Sequence, residues 1–437
     1  MEKIKVVWIC HFSNKEVKSN LPLFDFSLKN RIKKILGKKN PSIHVDFAPW
    51  ISTLIKEFER FDDVELHVIA PHMGLKRITF EFEINRVHFH FFRPYVFLHV
   101  EQIIDRIFKP KKKYRLNRFL VHQYLKKYKP DIVNLFGAEN PYYSITALDI
   151  QEIPVYVLLQ TVLSAPFNNE LNYSIDNARL VIENRVFSSL KYFGTTSRMY
   201  HDSVINANPN AEFLEFWFPT ENPPSIEEQI IEFDFVFFAS GLSQSKGVED
   251  AIEAIAIVNK TLKNARLNII GYCSAEYKEF LENKVSTLGL NWNIIFSSYF
   301  TLHADMFRQV KKAKIALLPH KIDVVSSTIR EAMFLGLPIV TYKTTGTPYL
   351  NSEMQTVLIS DIGDIEGLAK NMIMLLNSPE LAQNLVENAK SIARKLFDNT
   401  VIAKKLIEQN KAIVNHYRHN TPIPEHLLFK PEEYPNY

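Results

Sequence analysis

Cysteine is nearly absent from this chain, with Cys10 and Cys273 the only two among 437 residues. Each closes an apolar run, and neither has a CxxC or Cys/His spacing. That argues against a disulfide framework or a zinc site and fits a reducing cytoplasm. Long hydrophobic runs are missing too. No stretch approaches the ~18–20 apolar residues of a spanning helix, and the run Ile4–Cys10 is too short for a signal-peptide core of roughly 7–15 residues. We therefore expect a cytoplasmic protein, soluble or held peripherally at the inner face of the membrane. Glycine is scarce as well. Eight of the 12 glycines (Gly241, Gly247, Gly271, Gly289, Gly336, Gly346, Gly363 and Gly367) follow residue 240. In so glycine-poor a chain each one marks a special backbone or a close approach, so the second half is where a ligand is expected to meet the main chain.

What is present is ordinary globular material: 46% hydrophobic and 23% charged residues, which leaves no room for disorder as the main theme. The length suffices for two cores, since single domains stop growing near ~250–300 residues. In the first half, strand-like runs at Ile4–Cys10, Val64–Ala70, Asp131–Leu135 and Val155–Leu159 alternate with helical patterns such as 46–61. In the second half, Phe233–Ala239, Leu267–Ile270, Asn293–Phe296, Ile315–Leu318 and Leu337–Thr341 do the same. Gly247 opens a helix whose apolar positions Val248, Ile252, Ile255, Val258 and Leu262 recur at helical spacing, and Ser274 can cap the next. Such alternation predicts parallel sheets. The expected division is a first domain over 1–218, a proline- and acid-rich linker over 219–232, and a second domain over 233–414. The tail 415–437 is proline-rich and aromatic.

The densest signal runs from Ala313 to Gly346. A strand ends at Pro319-His320, a polar loop carries Asp323 and Ser326-Ser327-Thr328, and a helix holding Glu331 in its first turn stops at Gly336. A strand, Leu337-Pro338-Ile339-Val340, follows. Polar groups at a strand's carboxyl end are how open α/β sheets build ligand crevices. The segment resembles the donor-binding signature of retaining glycosyltransferases of the GT-B fold, most closely family 4. That signature has two acids separated by seven residues, here Asp323 and Glu331, the second opening Glu-Ala-Met-x-x-Gly-x-Pro-Ile-Val. The first acid is Asp where the family usually has Glu. Phe238–Gly247 resembles the family's G-R-L-x-x-x-K-G segment, with Lys246 on its lysine and Gly241 where its arginine stands. The resemblance covers roughly Phe237 to Tyr417 and is weaker in the first half.

The resemblance implies two Rossmann-like, doubly wound domains facing across a cleft, the tail crossing back to the first. It implies metal-independent, retaining transfer from a nucleoside-diphosphate sugar, most readily a UDP- or GDP-sugar, with no further cofactor. Lys246 would neutralise the diphosphate as a point charge, Lys321 or Lys343 standing in for the missing arginine. The helix start at Ser326, Ser327 and Thr328 offers N–H groups and a dipole to an anion. Glu331 would take both ribose hydroxyls, although Thr328–Glu331 is also a capping box. Asp323 would orient the sugar or be a plain loop acid. Gly241, Gly271 and the turn Thr344–Thr347 would line the donor.

On the acceptor side the first strand leads into His11-Phe12-Ser13-Asn14, a loop without the family's glycine, so His11 is either a site residue or an ordinary loop histidine. Glu139, after the Asp131–Leu135 strand, stands where related enzymes often place a catalytic histidine, and Asp46 is a further acid to consider. Basic clusters at 29–39 and 106–115, followed by Arg118, Lys126, Lys127 and Lys129, interleave with apolar residues, as a surface facing anionic lipid would; a solvated basic face is the plainer alternative. No nucleic-acid reading motif accompanies them. The expected partners are a nucleotide-sugar and a saccharide or lipid-linked saccharide, in cell-surface polysaccharide synthesis. A nucleotide-sugar 2-epimerase and a non-catalytic, glycan-binding GT-B partner subunit are the alternatives.

Overall fold

The structure, a computed structural model, describes residues 3–24, 48–94, 114–166, 176–220, 223–297, 300, 302–322 and 324–434. The chain forms two compact units. The first gathers Met1–Thr195, Tyr200–Pro219 and Ile402–Phe429; the second gathers Thr196–Met199, Thr220–Val401 and Lys430–Tyr437. The return to the first unit thus begins at Ile402, inside the long helix Asn399–His419, rather than at 415. Residues 430–437 belong with the second unit, as do 220–232.

The first unit carries an eight-stranded sheet of order β3-β4-β2-β1-β5-β6-β7-β8. Its strands are β1 (Ile4–Ile9), β2 (Val64–Pro71), β3 (Thr79–Ile84), β4 (Val87–Phe92), β5 (Ile132–Phe136), β6 (Val155–Leu158), β7 (Tyr192–Thr195) and β8 (Glu212–Glu215). All neighbours pair in parallel except β3 and β4. The central strand IKVVWI is apolar without alternation because nearly all of it is buried, as strands covered on both faces are. The antiparallel pair β3–β4 turns on Asn85 and Arg86, both at positive φ (49° and 67°), which two-residue hairpin turns require.

The second unit holds six parallel strands in the order β11-β10-β9-β12-β13-β14. They are β9 (Phe233–Gly241), β10 (Leu267–Tyr272), β11 (Ile294–Ser297), β12 (Ala313–Leu318), β13 (Ile339–Tyr342) and β14 (Leu358–Ser360). The amphipathic helix Val248–Thr261 buries Val248, Ile252, Ile255 and Val258 in this unit's core, beside Phe235, Phe237 and Leu317. Ser274 caps the helix Ala275–Thr287 by accepting from the Tyr277 N–H.

Candidate functional site

Each sheet reverses its strand order once, and each reversal gathers the polar residues singled out in the sequence. In the second unit β9, β10 and β11 run outward one way while β12, β13 and β14 run the other, so β9 and β12 flank the switch point. Loops leaving the carboxyl ends of two such strands diverge and open a crevice. The β9 loop contains Lys246, half-buried in a single 3₁₀ turn (Gln244–Lys246) that Gly247 ends at φ 76°. A Cβ on Gly247 would sit 1.9 Å from the Pro319 carbonyl oxygen, so only glycine lets the β9 loop lie against the β12 loop. The Lys321 N–H donates to the Ser245 carbonyl at 3.0 Å and fixes that approach.

The β12 loop feeds the helix Ser327–Leu335. Its N-cap is Ser326, whose hydroxyl accepts from the Ile329 N–H at 3.3 Å. The capping-box alternative for Glu331 therefore falls, because the cap lies two residues before Thr328. Glu331 is also not in the first turn, which carries no acid; it sits deeper, is buried, and receives a long contact (3.5 Å) from the Thr220 hydroxyl. Thr328 is held by buried His320 (Nε2 to Oγ1, 2.9 Å) and by Ser326 (3.0 Å), while Ser327 is exposed. The turn after β13 braces the same loop: the Thr344 hydroxyl donates to the Val324 carbonyl at 2.7 Å, and a Cβ on Gly346 would strike Val324. Asp323 lies outside the described residues.

Of the two lysines considered as substitutes for the family arginine, Lys321 is committed elsewhere. Its ammonium bonds Asp250 at 2.8 Å, and the other Asp250 oxygen takes the Tyr342 hydroxyl at 2.8 Å. Burial first, then that carboxylate, pushes the Tyr342 phenol well above its ordinary range. Lys343 is exposed just beyond β13. Gly271 has a structural explanation, since a Cβ there would meet the Ala239 carbonyl oxygen at 2.5 Å where β10 shifts register. At Gly241 a Cβ would meet only the Tyr272 carbonyl, at 3.9 Å.

In the first unit the switch point lies between β1 and β5. His11 follows β1, Glu139 follows β5, and both line a cavity of 430 Å³ with Trp50, Tyr142 and Arg179. Glu139 is buried. Its Oε1 accepts from Arg179 and from Asn140, both at 3.0 Å, while Oε2 has no hydrogen-bond partner among the described residues. Burial raises its pKa despite the Arg179 charge. His11 contacts the Tyr142 hydroxyl at 3.1 Å. Burial, helped by the His72 charge, pushes it down to about 4, so the ring is neutral at pH 7.

Arg179, Glu183 and Asp250 carry weight that the sequence did not disclose. Glu183, fully buried, accepts from the N–H groups of Leu163 and Ser164 and anchors the loop after β6. The basic clusters at 29–39 and 106–113 lie outside the described residues, as does Asp46. Arg118 is buried against Asp149, and Lys127 pairs with Glu81 at 3.0 Å, so neither is a loose surface cation.

Two mainly parallel sheets, each with a polar switch point, define a GT-B protein. Solved structures bear out that fold. Sucrose-phosphate synthase from Thermosynechococcus elongatus superposes with TM-score 0.65 at 11% identity, over 94% of this chain and 98% of that one. Anabaena Alr3699/HepE, solved in complex with UDP and glucose, superposes with TM-score 0.63 at 15% identity, over 94% and 100%. Residues 225–392 match the family model described as Glycosyl transferases group 1. Among curated relatives, alpha-D-kanosaminyltransferase of Streptomyces kanamyceticus is 23% identical over 154 residues, 35% of this chain. Sulfoquinovosyl transferase SQD2 of Arabidopsis thaliana is 27% identical over 153 residues, 34% of this chain. The matched segment spans 39% of the first relative's length and 28% of the second's.

Proposed function

We propose that this chain is a retaining glycosyltransferase that moves a sugar from a nucleoside-diphosphate donor to a saccharide or lipid-linked saccharide acceptor. The observation that carries the reading is that the loop holding Lys246 lies against the loop leading to the Ser326-capped helix at the switch point of the matched domain, with Glu331 buried in that helix. A diphosphate leaving group gains charge as the glycosidic bond breaks, and fixed cations and N–H groups act most strongly on charge that develops in the transition state. In this reading Lys246 and the free N–H groups of Ser327 and Thr328 meet the diphosphate. Glu331 accepts the ribose hydroxyls, and Asp323 orients the sugar.

The acceptor oxygen forms its bond to the anomeric carbon on the face the diphosphate leaves. The departing phosphate oxygen takes the acceptor's proton, so no protein nucleophile is required. In the first unit His11 and Glu139 are the acceptor-side candidates. HepE, crystallised with UDP-glucose, supports a UDP-sugar as the first donor to try. A cytoplasmic place at the membrane's inner face, in cell-surface polysaccharide synthesis, suits a lipid-linked acceptor.

Calorimetric titration of UDP, GDP and ADP, and of their common sugars, into wild type and Glu331→Ala tests this. One diphosphate should bind, and the variant should bind it roughly 10–100-fold more weakly, as two charged hydrogen bonds are lost. Well-folded protein that binds none of them would sink the donor assignment. It would favour the glycan-binding partner subunit, a reading that Gly241 in place of arginine and the engagement of Lys321 by Asp250 keep in play.

A further inference from the structure

The amino-terminal edge of the first sheet carries an ionisable cluster that the proposed transfer does not use. Registers place His67 of β2 beside His88 of β4, Glu83 of β3 beside His88, and Glu81 beside His90. These pairings bring three potential ligands together: one oxygen of Glu65 and one nitrogen each of His67 and His88 all lie within 4.8 Å of one another. Lys5 pairs with Glu65 across β1 and β2, whereas His11 follows the other end of β1. Six residues at ~3.3 Å each put the cluster roughly 20 Å along the sheet from the cavity.

We propose that Glu65, His67 and His88 form a binding site for a divalent transition-metal ion of the zinc class. Two imidazoles and a carboxylate are a donor set that such ions take, with the fourth position left to water. Tetrahedral bonds of ~2.0–2.1 Å require ligand atoms ~3.3 Å apart, so the cluster must tighten. The parts free to do so are the right ones: His67 is fixed at 1% side-chain exposure, while Glu65 and His88 keep 29% and 35%.

The surroundings fit ligation, because a metal-bound imidazole donates its other N–H to an outer partner. With Nε2 on the metal, His67 carries its proton on Nδ1, 3.0 Å from His90 Nε2. The His90 proton then sits on Nδ1, which faces Glu81 at 3.3 Å. Glu81 is itself held by the Tyr128 hydroxyl at 2.6 Å. His88 Nδ1 stands 3.2 Å from Glu83, which leaves its Nε2 for the ion. His88 thus has an outer carboxylate in Glu83, and His67 an outer imidazole in His90. The present cation is Lys5, 3.1 Å from the Glu65 oxygen that also meets His67 Nε2 at 2.9 Å. The metal would displace it and tie β4 to β2.

The test uses untagged full-length protein stripped with chelator, titrated calorimetrically with Zn²⁺ and Mg²⁺ and by visible absorption with Co²⁺. One Zn²⁺ per chain should bind, with intense tetrahedral Co²⁺ bands. His88→Ala and Glu65→Gln, both at half-open positions, should each weaken it at least ~10-fold. Lys5→Met should not weaken it. No saturable Zn²⁺ binding, binding unchanged in His88→Ala, or equal affinity for Mg²⁺ would each overturn the proposal.

Discussion

Single positions in the second unit make sharp predictions because their surroundings differ so much. Gly241 has open space and no positive φ, so nothing steric keeps a side chain out. Gly241→Arg should therefore leave the thermal midpoint nearly unchanged and, by adding the cation the family usually has, tighten diphosphate binding by roughly 10-fold. Equal or weaker binding in a well-folded variant would separate the β9 loop from the phosphate. His11 makes a prediction about pH. Its folded pKa, about 4, lies below the unfolded value of 6.5. Its contribution to stability is therefore present above pH 6.5 and lost as pH falls toward 4. Unfolding of wild type and His11→Asn from pH 7.5 to 4.5 should show wild type losing roughly 1–3 kcal/mol relative to the variant. Parallel profiles would remove the burial argument. Lys246 and Glu331 stood out as candidates in the sequence because each is carried by a short contiguous motif of its own. Arg179 and Asp250 were not, since their partners Glu139 and Lys321 lie 40 and 71 residues away.

At the scale of elements, the loop after β9 depends on a glycine more than on any hydrogen bond. Gly247→Ala combines a left-handed backbone with a Cβ 1.9 Å from the Pro319 oxygen, so the β9 and β12 loops must part. Gly363 shares the positive φ (85°) but would meet nothing within 4 Å. Gly363→Ala should cost about 1 kcal/mol, the ordinary left-handed penalty. Gly247→Ala should cost about 3 kcal/mol or more and also abolish nucleotide binding. Equal thermal shifts would mean the loops move apart freely. Strand positions followed from apolar runs wherever strands are central and buried, as at β1, β9 and β12. The hairpin β3–β4 escaped notice because its histidines and glutamates alternate with phenylalanine, so neither strand forms an apolar run. Short edge strands such as β8 and β14 offer four and three residues, too few to show a period. The same alternation hid the histidine cluster, whose members become neighbours only through strand register.

Across the whole molecule, the first unit is completed by chain that follows the second. From Ile402 onward the long helix returns to it: Lys405 pairs with Glu215, Lys411 with Asp63 at 2.5 Å, and Arg418 with Asp131 at 2.7 Å. The family resemblance implied a crossing tail, but helical residues such as Asn410 gave no sign of it, because their partners are set by tertiary packing alone. Ion pairs that keep some solvent access, as these do, contribute little individually. One buried contact is Asn134 with Asn410, 276 residues apart, which exchange amide hydrogen bonds at 2.8 and 3.1 Å with no solvent exposure. Asn410→Leu strands the Asn134 amide without its partner, which should cost about 2–3 kcal/mol in the unfolding of the first unit. Removing both amides leaves nothing unsatisfied, so Asn134→Leu with Asn410→Leu should recover most of that loss. A double variant as unstable as the sum of the singles would mean that the helix is held at this point by shape rather than by the paired amides.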